Sequence, residues 1–355
     1  MNNRGLIRYV FASSHTSQGF YTFIPELIKG LGRVYILKGA PGTGKSTFIR
    51  LVGETMSEQG LEVEFWISAL DAITPDGVYL PQLDIAIING SLPESIDPRY
   101  PGVKEQLINL GEYWEPAKIE AHRVEIIDMV DQMEISQQQV YKLLKEAGRV
   151  KEEIRQINAQ NLNMEKLGLV IQQLAAEILE SRPGEKHYFA GALTIDGLVD
   201  YIHELSNACQ KRYIFQGPAG SGKSMVIGEL ARQARERGYF LEYYHCGLEV
   251  DSLSMVIIRD LQIALIEAGN VEISPKPWDT VVDLGLCMDN SDAGEVKEGS
   301  SVNYRIFESL LLEAQQQLEK SSQNNKALKK FYTGAMDFSR LDQIRLRLLE
   351  EIRGL

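Results

Sequence analysis

The chain matches itself. When the 355-residue sequence is slid by 178 positions, residues 8–88 align with 186–266 without a gap, and 24 of the 81 pairs are identical. Average composition gives roughly one match in sixteen by chance, or about 5 pairs. Phe11-Ala12 meets Phe189-Ala190, Thr16 and Gly19 meet Thr194 and Gly197, and Tyr35-Ile36 meets Tyr213-Ile214. Farther on, the best offset is 174, which sets Asn109-Leu110-Gly111 against Asp283-Leu284-Gly285. It also sets Leu167, Leu174 and Ile178 against Leu341, Leu348 and Ile352. A chain of this length holds about two domains. The repeat therefore predicts an internal duplication, with a first lobe over residues 1–182 and a second over 183–355. The join is placed at Ser181-Arg182-Pro183-Gly184, where proline and glycine end a long helical pattern.

Each lobe reads as α/β. Arg33 to Leu37 is a short apolar run before a glycine and predicts a buried strand. Lys45 to Gln59 carries Phe48, Leu51, Val52 and Met56 at helical spacing, and Gly60 ends it. Glu62 to Trp66 and Leu83 to Ile88 predict two more strands, with Asn89-Gly90 as a turn. Strands alternating with helices imply a parallel sheet flanked by helices. From Pro116 to Glu180 the pattern is helical, with Val140, Leu143, Leu144 and Ala147 on one face. The second lobe ends in the same way, with Ile306, Phe307, Leu310, Leu311, Ala314 and Leu318. Such stripes pack a core or dock a protein partner. Asp289 to Asn303 is polar and rich in glycine and serine, and is expected to be a mobile loop.

Both lobes carry the pattern G-x-x-x-x-G-K-[ST], after a predicted strand and before a predicted helix. The first is Gly39-Ala40-Pro41-Gly42-Thr43-Gly44-Lys45-Ser46, and the second is Gly217-Pro218-Ala219-Gly220-Ser221-Gly222-Lys223-Ser224. Glycines let backbone N–H groups approach phosphate oxygens, and the helix start that follows favours an anion. Nucleotide contacts are expected from Gly39, Pro41, Gly42, Thr43, Gly44, Lys45, Ser46 and Thr47 in the first loop. The second loop should supply Gly217, Ala219, Gly220, Ser221, Gly222, Lys223, Ser224 and Met225. Lys45 and Lys223 should bridge the terminal phosphates, and Ser46 and Ser224 should place a hydroxyl on Mg²⁺. No Asn-Lys-x-Asp segment of the kind that reads guanine is present, which favours ATP over GTP.

Hydrolysis also needs an acid near the metal. Leu83–Ile88 ends in Asn89, an amide, whereas the aligned strand of the second lobe ends in Glu267. Glu267 is therefore the expected catalytic acid, beside the lysines, and the second lobe is expected to be the better hydrolase. Asp71 and Asp76, with Glu249 and Asp251, follow the second strand of each lobe. They are either ordinary loop acids or groups that reach Mg²⁺ and its water or capture a second substrate, with Asp71 and Glu249 aligned. Arg99, Arg259 and Arg305 are candidates for a cation that completes the opposite site. His15 and His245 have no metal-type partners at short spacing and read as structural. Thr16 and Thr194 are expected to cap a following helix or to touch nucleotide.

Composition removes other classes. A net charge of −12 without a basic stripe argues against a nucleic-acid partner. Cys209, Cys246 and Cys287 are odd in number and far apart, with neither zinc spacing nor a disulfide framework. Met1 to Val10 is not followed by an apolar run of signal-peptide length, and no stretch reaches about 18 apolar residues. A cytoplasmic location and no membrane span are expected.

The whole chain resembles a little-characterised bacterial family of tandem P-loop proteins, described as ATPases or nucleotide-binding proteins. The resemblance is carried by Phe11-Ala12, both loops, Pro101-Gly102, Asn109 to Trp114, and Lys186 to Thr194. In that family the strand matching Leu83–Ile88 is followed by Asp-Gly, where this chain has Asn89-Gly90. The resemblance implies a P-loop NTPase fold and cytoplasmic location. Three functions fit these residues: a two-site ATPase acting as a switch, a small-molecule or nucleotide kinase, and a nucleotide-sensing scaffold that does not hydrolyse.

Overall fold

The computed structural model describes residues 4–91, 93–178, 184–268, 273–288 and 295–354. The first half runs β1 (Ile7–Phe11), β2 (Ser13–Thr16), β3 (Gly19–Thr22), α1 (Ile24–Leu27), β4 (Arg33–Lys38), α2 (Lys45–Glu58), β5 (Val63–Ile67), β6 (Pro75–Leu80), β7 (Ile85–Asn89) and β8 (Glu105–Asn109). It ends in α3 (Pro116–Glu120), α4 (Arg123–Ala159) and α5 (Met164–Ile178). The second half runs β9 (Gly184–Phe189), β10 (Gly191–Thr194), β11 (Gly197–Asp200), α6 (Ile202–Asn207), β12 (Lys211–Gln216), α7 (Lys223–Glu236), β13 (Phe240–Cys246), β14 (Glu249–Ile258), β15 (Ile263–Glu267) and β16 (Thr280–Asp283). It closes with α8 (Glu295–Ala335) and α9 (Phe338–Arg353).

The fold is mixed α/β, with one large sheet flanked by helices. Twelve strands form it in the order β16-β12-β15-β14-β13-β9-β1-β5-β6-β7-β4-β8. The two halves meet where β1 and β9 pair antiparallel at Phe11 and Phe189. Outward from that junction the order is β5-β6-β7-β4-β8 on one side and β13-β14-β15-β12-β16 on the other.

The expected all-parallel sheet is corrected. β1–β5, β4–β7 and β4–β8 are parallel, but β6 lies antiparallel to both β5 and β7. The connection from Leu80 to Ile85 holds only four residues, too short for a parallel crossover, so the chain turns back directly. Asp84 absorbs the turn at φ 55°. Asp76, expected in a loop, is therefore inside a strand.

The long helices do something the repeat does not announce. α4 and α8 span about 55 Å and about 60 Å at 1.5 Å per residue, enough to carry the chain across the molecule. They pack antiparallel. His122 stacks near Phe331 at the start of α4, while Val140, Leu144 and Ala147 share a core with Phe307, Ala314 and Leu318. Each helix thus delivers the tail that follows it to the opposite half. Leu341, Leu348, Leu349 and Ile352 of α9 join Phe48, Ile49, Val52 and Met56 of α2. In return, Leu167, Leu174 and Ala175 of α5 join Val226, Ile227, Leu230 and Ala234 of α7.

The stretch expected as a mobile loop is helical from Glu295 onward, as the start of α8, while 289–294 lie outside the described residues. Adding residues to an existing helix gains one hydrogen bond each, which outweighs a weak local preference. The join at Ser181-Arg182-Pro183 also lies outside the described residues. Among the described residues no helix is long and apolar enough to cross a membrane.

Candidate functional site

Each glycine-rich loop leaves a buried strand and opens a fourteen-residue helix. Gly44 and Gly222 precede α2 and α7 in the left-handed region, at φ 92° and 88°. The lysine that follows is folded back over its own loop. Lys45 Nζ donates to Gly39 O at 2.6 Å and Ala40 O at 3.0 Å, and Lys223 Nζ donates to Gly217 O and Pro218 O, both at 2.9 Å. Both lysines are buried. Burial pushes the Lys45 ammonium down to about 8 against the pull of Asp76, and Lys329 lowers it further. Lys223 is lowered as well, first by burial, with Glu267 opposing and Lys151 and Arg155 adding to the effect.

A long helix of the opposite half closes over each loop. A Cβ on Gly42 would stand 2.5 Å from Lys329 O of α8, and Thr333 Oγ1 donates to Gly42 O at 3.1 Å. A Cβ on Gly220 would stand 2.7 Å from Arg155 O of α4, and Asn158 Nδ2 donates to Ala219 O. Only glycine allows this approach, which any side chain would block. Arg155 and Lys329 are 174 residues apart, the offset that aligns the helical tails.

Around the first loop opens a cavity of about 610 Å³, lined by Ser46, Thr47, Asp76, Asn89, Lys329 and Thr333 among others. The second loop borders one of about 360 Å³, with Lys151, Arg155, Ser224, Met225, Ser254 and Glu267 in its wall. Both fall in the size range of small-ligand sites. Neither family profiles, curated proteins nor solved structures match the chain.

An acid faces each loop, on different strands. Ser224 Oγ donates to Glu267 Oε2 at 2.9 Å, and Glu267 Oε1 stands 3.7 Å from Lys223 Nζ. In the first half Asn89 holds the position of Glu267, and its Nδ2 donates to Asp76 Oδ1 on the neighbouring strand at 2.9 Å. The residue aligned with Asp76 is Ser254. At these two aligned positions each half thus carries one carboxylate, Asp76 on β6 in one and Glu267 on β15 in the other. Burial raises the Asp76 carboxyl to about 6, with hydrogen bonds from Asn89 and Ser68 and the charge of Lys45 opposing and Asp71 adding.

The other expected acids have different employment. Asp71 accepts from Ile73 N, Thr74 N and Thr74 Oγ1, which closes its own turn, although it borders the first cavity. Glu249 is held by Arg155 and by Lys151 Nζ at 2.9 Å. As placed, each carboxylate already accepts from several donors. Among the described residues no cluster of three His, Cys, Asp or Glu forms a protein-only metal site.

Of the arginine candidates, Arg259 is bound to Glu242 at 2.8 Å, Arg99 lies over the Tyr100 ring, and Arg305 is exposed on α8. None lines either cavity, and the cations that do are Lys151, Arg155, Lys329 and Arg50 with the loop lysines. Arg155 and Lys329 were legible as an aligned pair of cations, but nothing in the sequence said which half they would face. Thr43 and Ser221 are buried behind their loops and border neither cavity. Thr16 and Thr194 cap no helix. Each accepts from the backbone two residues on and donates to Gly19 O or Gly197 O, closing the β2–β3 and β10–β11 hairpins. His15 is buried, and His245 meets His187 Nδ1 at 2.8 Å.

Proposed function

We propose that the chain binds Mg²⁺–nucleoside triphosphate, ATP foremost, at both glycine-rich loops and hydrolyses it. An internal duplication producing two P-loop NTPase units, residues 1–182 and 183–355, accounts for the repeated sequence and the matching strand order. In this reading each unit lends its helical tail to the other, so the two sites are closed reciprocally.

The observation that carries the reading is the pairing of each loop lysine with a cation from the opposite half. Lys45 shares its cavity with Lys329, and Lys223 shares its cavity with Arg155. Two cations above a run of glycines at a helix start suit a polyphosphate and little else. Lys45 and Lys223 would exchange loop carbonyls for phosphate oxygens. Ser46 with Asp76, and Ser224 with Glu267, would hold Mg²⁺, which keeps most of its shell as water and phosphate oxygens and so needs few protein ligands. The ion supplies charge neutralisation on the phosphates. Lys329 and Arg155 would stabilise charge that builds up as the terminal phosphoryl group departs. Since α4 and α8 connect the sites, occupancy of one alters the packing of the other, the property of a switch or regulator acting on protein partners.

The test is nucleotide binding and phosphate release by the wild type, Lys45→Ala, Lys223→Ala and the double variant, with and without Mg²⁺. Each single variant should lose one site and the double variant both. Undiminished binding by the double variant would refute the reading. Binding without release in every variant would turn the assignment to a scaffold or a kinase awaiting its acceptor.

A further inference from the structure

The first cavity contains two polar atoms whose burial nothing in the protein compensates. His15 Nδ1 and Asn325 Oδ1 are fully buried without a hydrogen-bond partner, and both residues border the space that opens from the first loop. His15 itself is only 3 % exposed. An orphaned buried polar group is costly and is retained where a ligand satisfies it. The two come from opposite halves, His15 from β2 and Asn325 from α8, one helical turn before Lys329. Phe20 of β3 borders the same cavity, with its ring 5.5 Å from the His15 imidazole. The cavity thus has a charged end at the loop and, in Phe20, His15 and Asn325, an aromatic and neutral polar set.

The second cavity is built differently at the same positions. The residue aligned with His15 is Leu193, the one aligned with Phe20 is Leu198, and the one aligned with Asn325 is Lys151. Leu193 is buried in an apolar cluster, and Lys151 is paired with Glu249. The neutral hydrogen-bonding pair belongs to the first cavity alone.

We infer that Asn325 and His15 form a nucleobase-reading subsite of the first cavity, specific for a purine that carries an exocyclic amino group, as adenine does. This rests on the nucleotide reading given above. Asn325 Oδ1 is an acceptor and takes an amino N–H, while the base edge beside it meets His15 Nδ1. A side-chain amide is suited to the adenine edge, where a donor and an acceptor lie side by side. The aromatic face of Phe20 suits stacking. The imidazole is neutral at physiological pH, since burial pushes it down to about 4, so it brings no charge to the base. The second cavity, lacking the pair, should accept triphosphates with little regard to base.

Titration calorimetry on the full chain carrying Lys223→Ala isolates the first site. The probes are Mg-ATP, the Mg²⁺ complex of purine riboside triphosphate, which lacks the amino group, and inorganic tripolyphosphate. Asn325→Leu and His15→Leu should each weaken ATP by about tenfold to a hundredfold and leave tripolyphosphate unchanged. Purine riboside triphosphate should bind the parent about as weakly as ATP binds Asn325→Leu, with no further loss in that variant. Leucine is the residue of the second half at the His15 position, and Asn325 is only half-buried on α8, so both variants should keep the fold. ATP binding unchanged in both variants, or lost in equal measure with tripolyphosphate, would overturn the base subsite. If Lys45→Ala in the same background leaves ATP binding intact, the nucleotide reading falls and takes the subsite with it.

Discussion

Asn89 Nδ2 donates to Asp76 Oδ1 across 2.9 Å at the end of the β6–β7 pair, where the second half has Glu267 beside Ser254. The carboxylate has changed strands without leaving the place. An amide at the end of β7 therefore does not leave the first loop without an acid. The expectation that the first site binds more than it hydrolyses rested on Asn89 without regard to Asp76, and phosphate release measured at each loop separately decides it.

The exchange can be tested directly. With the second site silenced by Lys223→Ala, Asp76→Asn should cut Mg²⁺-dependent phosphate release by about a hundredfold. The double substitution Asp76→Ser with Asn89→Glu reproduces the arrangement of the second half and should recover most of that loss. Glu267→Gln should have the corresponding effect in a Lys45→Ala background. Phosphate release by Asp76→Asn equal to that of its parent would remove Asp76 from the site.

If the first loop binds a triphosphate as proposed, Lys45 should make that binding pH-dependent. Its ammonium is lowered to about 8 in the free protein, chiefly by burial. Bound phosphate favours the charged form, so the pKa rises on binding and a proton is taken up above about 8. Affinity at the first site should therefore be level between the Asp76 value of about 6 and that pH, and fall as pH rises through it, up to about tenfold per unit. Calorimetry in two buffers of different ionisation heat at pH 8.5 (roughly half a unit above that pKa) should show uptake of a fraction of a proton.

The opposite-half cations give crossed phenotypes. Arg155→Ala should slow phosphate release at the second loop by about a hundredfold with little effect on the first, and Lys329→Ala should do the reverse. Each is measured with the other loop silenced. Lys329→Arg keeps the charge and should retain most activity. If each substitution acts on the loop of its own half, the reciprocal arrangement is wrong.

Helix exchange also predicts where stability resides. Leu348 of α9 is buried in the core beneath α2, whereas Leu346, two residues earlier, is 52 % exposed. Leu348→Ala should cost about 2–5 kcal/mol in urea unfolding, and Leu346→Ala less than about 0.5 kcal/mol. Comparable small losses in both would mean that α9 is not docked on α2.

Much of the fold was legible because local pattern and local structure agree. The apolar run Arg33 to Leu37 and the helix after Gly44 appear within a residue of their expected ends, and the tract from Pro116 is helical but broken into α3, α4 and α5. β6 was missed because Pro75-Asp76-Gly77 reads as a turn, and its strand conformation depends on pairing with β5 and β7 on both sides. Asp71 and Glu249 were legible as aligned acids; Asp71 closes a local turn with Ile73 and Thr74, whereas the Glu249 partner Arg155 lies 94 residues away and no local pattern pairs them.

The sequence alone determined the repeat, the two loops and the residue types at each, since these depend on spacing along the chain. The tertiary structure alone decided which cation meets which loop, which strand carries the acid, and that His15 and Asn325 border one cavity. The reason is physical. A 178-residue period fixes what each half contains, but a helix about 55 Å long can return to its own sheet or cross to the other. Burial of Leu167 against α7 and of Leu341 against α2, more than 50 residues away in one case and nearly 300 in the other, decides between them. No local signal reports that choice.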